Sequence, residues 1–67
     1  MSHTKTIRII CFKEHEKIML NTIYHYNFSI LERYDRRMIT FVIQLPKHGS
    51  SVQENVLLDL QDELLGL

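Results

Sequence analysis

The sequence predicts a small α+β domain whose elements run strand, helix, strand, strand, helix. Three observations predict it. Apolar residues fall on every second position over 6–12 (Ile7, Ile9, Cys11) and again over 37–45 (Ile39, Phe41, Ile43, Leu45), the period of a strand with one buried face. They recur at helical spacing over 14–26 and from Ser51 onwards. A chain of 67 residues has room for one domain only, so the five elements must share one core.

Each element has local reasons. Residues 1–5 are polar and are expected to be disordered. Residues 6–12, TIRIICF, set Ile7, Ile9 and Cys11 on one face and Thr6, Arg8, Ile10 and Phe12 on the other. In residues 14–26, Ile18, Thr22, His15, Tyr26, Met19 and Ile23 span about 140° of one helix side. Glu14 and Glu16 stand in the first turn, where the helix dipole favours acids. Asn27 follows the last turn and is suited to a left-handed residue there. Residues 28–35 and 37–45 read as two strands joined near Asp35-Arg36. A two-residue turn pairs Tyr34 with Arg37, Ile30 with Phe41 and Phe28 with Ile43. It gathers these apolar residues with Ile39 and Leu45 on one face. Pro46, Lys47, His48 and Gly49 form a loop. Ser51 with Glu54, or Ser50 with Gln53, then makes a capping box for the second helix. Its core stripe is Val52, Val56, Leu60 and Leu64 with Leu57 beside it, and Leu58 and Leu65 lie off it. Gly66 ends the helix.

A crossover through the first helix sets strands 1 and 2 parallel, with strand 3 between them and antiparallel to both. That is a ferredoxin-like βαββα arrangement with an antiparallel sheet and both helices on one face. The fourth strand of such a sheet is missing, or is supplied by a partner. Strand 1 is then an exposed apolar edge, which recruits other strands. The outer sheet face mixes Ile10, Phe12, Leu31, Met38 and Val42 with Arg8, Ser29, Arg33, Thr40 and Gln44, more apolar than a solvated face. Arg8, Ile10, Phe12, Leu31, Met38 and Val42 are therefore the expected interface. A core this small is marginal alone and gains from a dimer or a parent protein.

Composition excludes several classes. Lys and Arg number 8, Asp and Glu 8, giving zero net charge; 45% of residues are hydrophobic and 24% charged. This is no disordered tail, basic nucleic-acid arm or collagen-like repeat. One cysteine excludes an intrachain disulfide. The longest apolar run, Ile9 to Phe12, is far too short to span a bilayer, and no signal-peptide pattern is present. A free cysteine without an export signal favours a reducing, cytoplasmic setting.

The residues supply no catalytic constellation, metal set or cofactor fingerprint. His3, His15, His25 and His48 form no HExxH or other close ligand pair. His15, in the apolar arc, reads as a satisfied and partly buried histidine, His25 as a boundary residue. A His3–His48 pair has nothing in the sequence to support it. Cys11 reads as an inert buried thiol. Ser50 and Ser51 lack a GxSxG context, and no GxGxxG or GxxxxGK[ST] occurs. An enzyme is thus not expected. Residues 1–50 hold 8 basic and 4 acidic side chains, whereas 51–67 hold four acids and no Lys or Arg. Arg33, Arg36 and Arg37 gather at the hairpin and read either as a contact for phosphate or an anionic lipid headgroup, or as a solvated tip. RNA binding would need aromatic residues on the central strands, and only Phe12 is placed there. No nucleic-acid partner or membrane insertion is expected.

The element order, with a Gly-hydrophobic step ending the second helix, resembles ACT-like domains. The segments TIRIIC, FKEHEKIML, NFSILERYD, RRMITFVIQLP and DELLGL together resemble the cytosolic C-terminal domain of the MgtC/SapB family, over about residues 5–67. The chain departs from that family in lacking its membrane helices and the fourth strand. It also lacks the glycine that amino-acid-binding ACT domains carry between strand 1 and helix 1, where FKEHE stands. The resemblance implies a cytosolic regulatory or assembly module, a homodimer or part of a larger inner-membrane protein tied to magnesium limitation and virulence. It implies no catalytic residues. The alternative it leaves is a regulatory domain holding a small effector near residues 12–17, at the start of helix 1.

Overall fold

A computed structural model of the chain describes residues 5–45 and 51–66, with only the backbone of Ser51. The element order is β1 (Thr6–Cys11), a single 3₁₀ turn (Lys13–His15), α1 (Glu16–His25), β2 (Ser29–Asp35), β3 (Ile39–Gln44) and α2 (Ser51–Leu65). The strands form one antiparallel sheet in the order β1-β3-β2. β1 and β2 are therefore parallel and separated by β3. The N-terminal residues 1–4, the Pro46–Gly49 loop, the capping side chains at Ser50 and Ser51, and the His3–His48 pair lie outside the described residues.

The core follows from alternation. In β3, Ile39, Phe41 and Ile43 are buried, and Thr40, Val42 and Gln44 between them are half-buried. In β1, Ile9 and Cys11 are buried opposite Phe41 and Ile39. Met19 and Ile23 of α1, Leu57 of α2, and Phe28 and Leu45 complete a single cluster. Each fully buried side chain of this kind is worth roughly 1.5–3 kcal/mol of transfer free energy.

The end of α1 is built by Asn27, whose φ is 59°. The Asn27 N–H donates to the Tyr24 carbonyl at 3.0 Å and the Phe28 N–H to the Ile23 carbonyl at 3.1 Å. These are the two bonds of a Schellman cap. Phe28 and Ile23, the two positions whose apolar side chains accompany such a cap, are both buried in the core. The left-handed position expected at Asn27 is thus observed, and it aims the chain into β2.

Four expectations are corrected. First, the hairpin turn spans three residues, 36–38, not two. Tyr34 pairs with Thr40 and Asp35 with Ile39, and the Arg36 N–H donates to the Met38 carbonyl at 3.2 Å. Second, the pairing slips between Ile30 and Glu32, so Ile30 faces Ile43 instead of Phe41. The extra residue, Leu31, forms a bulge, and a bulge exchanges the faces of everything beyond it. Arg33 moves to the side of Phe41 and Tyr34 to the outer face. Third, the helices are turned from their expected phase. Ile18 is 48% exposed, while Met19, Ile23 and Leu20 face inwards. In α2, Val52 and Val56 are exposed, Leu57 is fully buried, and Leu58, Leu60 and Leu64 pack against the core.

The fourth correction concerns the edge of β1. Gln61 of α2 reaches this edge, and its Oε1 accepts the Ile10 N–H at 2.8 Å. At the other end of the strand Lys5 Nζ meets the Glu54 carboxylate at 2.8–2.9 Å. The edge is not bare, because α2 occupies part of it. β2, the opposite edge, is protected differently: it carries a bulge and charged residues, both of which discourage pairing.

Candidate functional site

The outer sheet face is assembled by register. Arg8, Val42 and Glu32 lie in one cross-strand row, and Ile10, Thr40 and Tyr34 in the next. Both rows point away from the core cluster. Arg36, in the hairpin loop, closes one end. An open cleft of about 410 Å³ results, lined by Arg8, Ile10, Tyr34, Arg36 and Thr40.

Two guanidinium groups from distant parts of the chain therefore flank one concavity. Among the described residues neither Arg8 nor Arg36 makes an ion pair. The Tyr34 hydroxyl donates to Glu32 Oε2 at 2.7 Å. That bond, followed by burial and the Glu32 charge, raises the Tyr34 phenol above its ordinary value, and Arg8 and Arg36 pull it the other way.

The residues expected to form an interface divide into two groups. Arg8, Ile10 and Val42 stand together on the outer face, with Ile10 and Val42 half-buried. Leu31 sits in the bulge and is 51% exposed. Met38 is half-buried in the hairpin loop. Phe12 lies just past β1, and its ring meets His15 edge-on at 6.1 Å.

The arginines expected to cluster are separated as well. Arg33 Nε donates to Glu16 Oε2 at 2.7 Å, and a terminal nitrogen lies 3.7 Å from Asp35 Oδ2. The hydrogen bond to Glu16 is the main reason its pKa rises. Arg33 thus ties β2 to the start of α1, on the helix side. Arg37 is exposed in the loop, and only Arg36 joins the cleft. The Arg8–Arg36 pairing was not legible in the sequence, since 28 positions separate them. Tyr34 was missed because the bulge moved it.

Other reactive groups have local explanations. Cys11 is fully buried, and burial, then the nearby Glu16 charge, pushes its thiol above the ordinary value of 9.0. A thiol held protonated is a poor nucleophile. His15 is partly buried as expected, but it is not satisfied: its Nδ1 is buried without a hydrogen-bond partner. Its Nε2 lies 4.0 Å from Glu14 Oε1. Among the described residues no three His, Cys, Asp or Glu side chains converge to hold a metal ion. Glu14 stands in the 3₁₀ turn and Glu16 in the first turn of α1, where an anionic effector near residues 12–17 would have to sit.

Comparison with models of known protein families, with curated proteins and with solved structures returns no match to this chain. Among the described residues no helix is long and apolar enough to cross a membrane.

Proposed function

We propose that this domain is a non-catalytic, self-associating interaction module that binds through the outer face of its sheet. The observation that carries the reading is the contrast between the two surfaces of β1. Its free edge is engaged by Gln61, whereas its outward side chains Arg8 and Ile10, with Val42 beside them, have no helix over them among the described residues. Half-buried apolar residues ringed by charge form the kind of face that a partner covers. A three-stranded α+β domain also has little core of its own, so association through this face would add apolar burial where the chain is short of it.

In this reading the domain is an ACT-like regulatory or assembly unit acting in the cytoplasm, and the face left open by a ferredoxin-like fragment is its working surface. The resemblance of its segments to the MgtC/SapB cytosolic domain supports that assignment. An effector at the start of α1 is less well supported, because Glu14 and Glu16 already hold that end and Glu16 is bound to Arg33.

The test is the solution mass of the wild type and of Ile10→Lys and Val42→Lys across a dilution series. The reading expects the wild type to associate and both variants to remain folded as single chains. Variants that keep the wild-type mass would show that the surface is elsewhere.

A further inference from the structure

We infer that the cleft between Arg8 and Arg36 is a binding site for a phosphate monoester, with the guanidiniums holding the phosphoryl group and Ile10 lying under the organic part. The inference deepens the reading of this face as a binding surface, but it does not require self-association.

Arg8 comes from β1 and Arg36 from the β2–β3 loop, and both line the same concavity. Among the described residues neither is neutralised by a carboxylate. Arg33, one face away, shows what this chain does with an arginine that has an internal role: it takes Glu16 at 2.7 Å and Asp35 at 3.7 Å. Glu32 is the acid beside the cleft. Its carboxylate accepts the Tyr34 hydroxyl at 2.7 Å and, among the described residues, pairs with neither arginine.

The ligand class follows from geometry. A guanidinium presents a fork of donors that matches a carboxylate or phosphate edge. Two forks on separate segments are better served by a group with three terminal oxygens and a charge of about −1.5 to −2 than by one carboxylate. The cleft volume, about 410 Å³, exceeds what a phosphoryl group needs and lies at the small end of ligand sites, roughly 300–1,000 Å³. The remaining lining is Ile10, the Tyr34 side chain and Thr40, which adds an apolar surface with two hydroxyls, the Tyr34 one already donating to Glu32. An aryl or alkyl group attached to the phosphate fits that surface.

The experiment is an amide-detected NMR titration with phenyl phosphate, inorganic phosphate, benzoate and sodium chloride at matched ionic strength, with the mass of each sample recorded. Phenyl phosphate is expected to give saturable shifts at Arg8, Ile10, Arg36 and Thr40, with inorganic phosphate weaker and benzoate at least tenfold weaker than phenyl phosphate. Arg8→Ala and Arg36→Ala should each weaken phenyl phosphate about tenfold or more, the scale of a lost charge-assisted fork, while Arg37→Ala leaves it unchanged. Non-saturable shifts, shifts that chloride reproduces, or equal losses in Arg37→Ala would overturn the site. A chain that stays single at every concentration yet binds phenyl phosphate keeps this inference and removes self-association. A chain that associates but ignores phenyl phosphate does the reverse.

Discussion

Gln61 Oε1 accepts a hydrogen bond at 2.8 Å from the backbone N–H of Ile10, fifty-one positions earlier in the chain. The contact joins the last helix to the first strand. It also fills a sheet-edge donor that would otherwise be open to a foreign strand. One side chain thus covers part of the edge of β1 and leaves the outer face as the surface through which the proposed association would run.

Gln61→Ala should remove about 1 kcal/mol of stability, the usual net value of such a bond. Gln61→Glu keeps an acceptor at the same position and should lose less. Urea unfolding measures both. Gln61→Ala should additionally increase strand-mediated aggregation, seen as growing light scatter, because the Ile10 N–H is freed. Equal stabilities for wild type and Gln61→Ala would mean that the edge is held by something else.

The phase of α2 separates its aliphatic residues sharply. Leu57 is fully buried, so Leu57→Ala should cost about 2–5 kcal/mol, most of the stability of a domain this size. Val56→Ala and Val52→Ala should change stability by no more than about 0.5 kcal/mol, since both are exposed. Midpoints of denaturant unfolding read the difference directly. A large loss in Val52→Ala with a small one in Leu57→Ala would restore the stripe expected from sequence.

Cys11 supplies a pH test. Its folded pKa is raised, so the folded chain holds its proton more tightly than the unfolded chain does. The stability this gives is complete below the unfolded thiol pKa and disappears as pH rises through the folded value. The wild type should therefore lose stability on the alkaline side relative to Cys11→Ser, whatever their absolute difference at neutral pH. A thiol reagent should modify Cys11 at the rate of unfolding, not at the rate of a free thiol. Rapid modification of the native chain would contradict the burial.

Tyr34 is read by absorbance. Of the three tyrosines, Tyr34 donates to Glu32 and should ionise above the ordinary phenol range. Glu32→Gln removes the charge and should bring that titration down. Arg8→Ala removes a nearby cation and should move it further up. An unchanged titration in Glu32→Gln would break the electrostatic description of the cleft.

Much of the architecture was legible. The order of elements came from a period of two over 6–12 and 37–45 and helical spacing elsewhere, and the buried face of β3 came from strict alternation at Ile39, Phe41 and Ile43. Asn27 and Gly66, with φ values of 59° and 79°, were legible as helix-ending residues. The errors have physical causes. Without glycine at Asp35-Arg36, turn length was set by hydrophobic matching alone, and several registers match. The bulge at Leu31 has no local sequence marker, yet it exchanges Arg33 and Tyr34 between faces. In α2 the stripes through Val52-Val56 and through Leu57 share Leu60 and Leu64. Only the position of the helix against β1, fixed in part by Gln61 and Glu54, chooses between them. The cleft was partly visible in Arg8, Ile10 and Arg36 and could not be assembled before the bulge was known.

Association through the open sheet face is tested most directly by cross-saturation NMR on a mixture of deuterated, methyl-labelled copies and protonated, unlabelled copies. Irradiating the protonated copies saturates only the labelled methyls that they touch. Attenuation is expected at Ile10, Thr40 and Val42, with Ile43 and Leu57 spared as core residues. Attenuation confined to the exposed valines Val52 and Val56, or none at any methyl at concentrations where the mass shows association, would contradict association through this face.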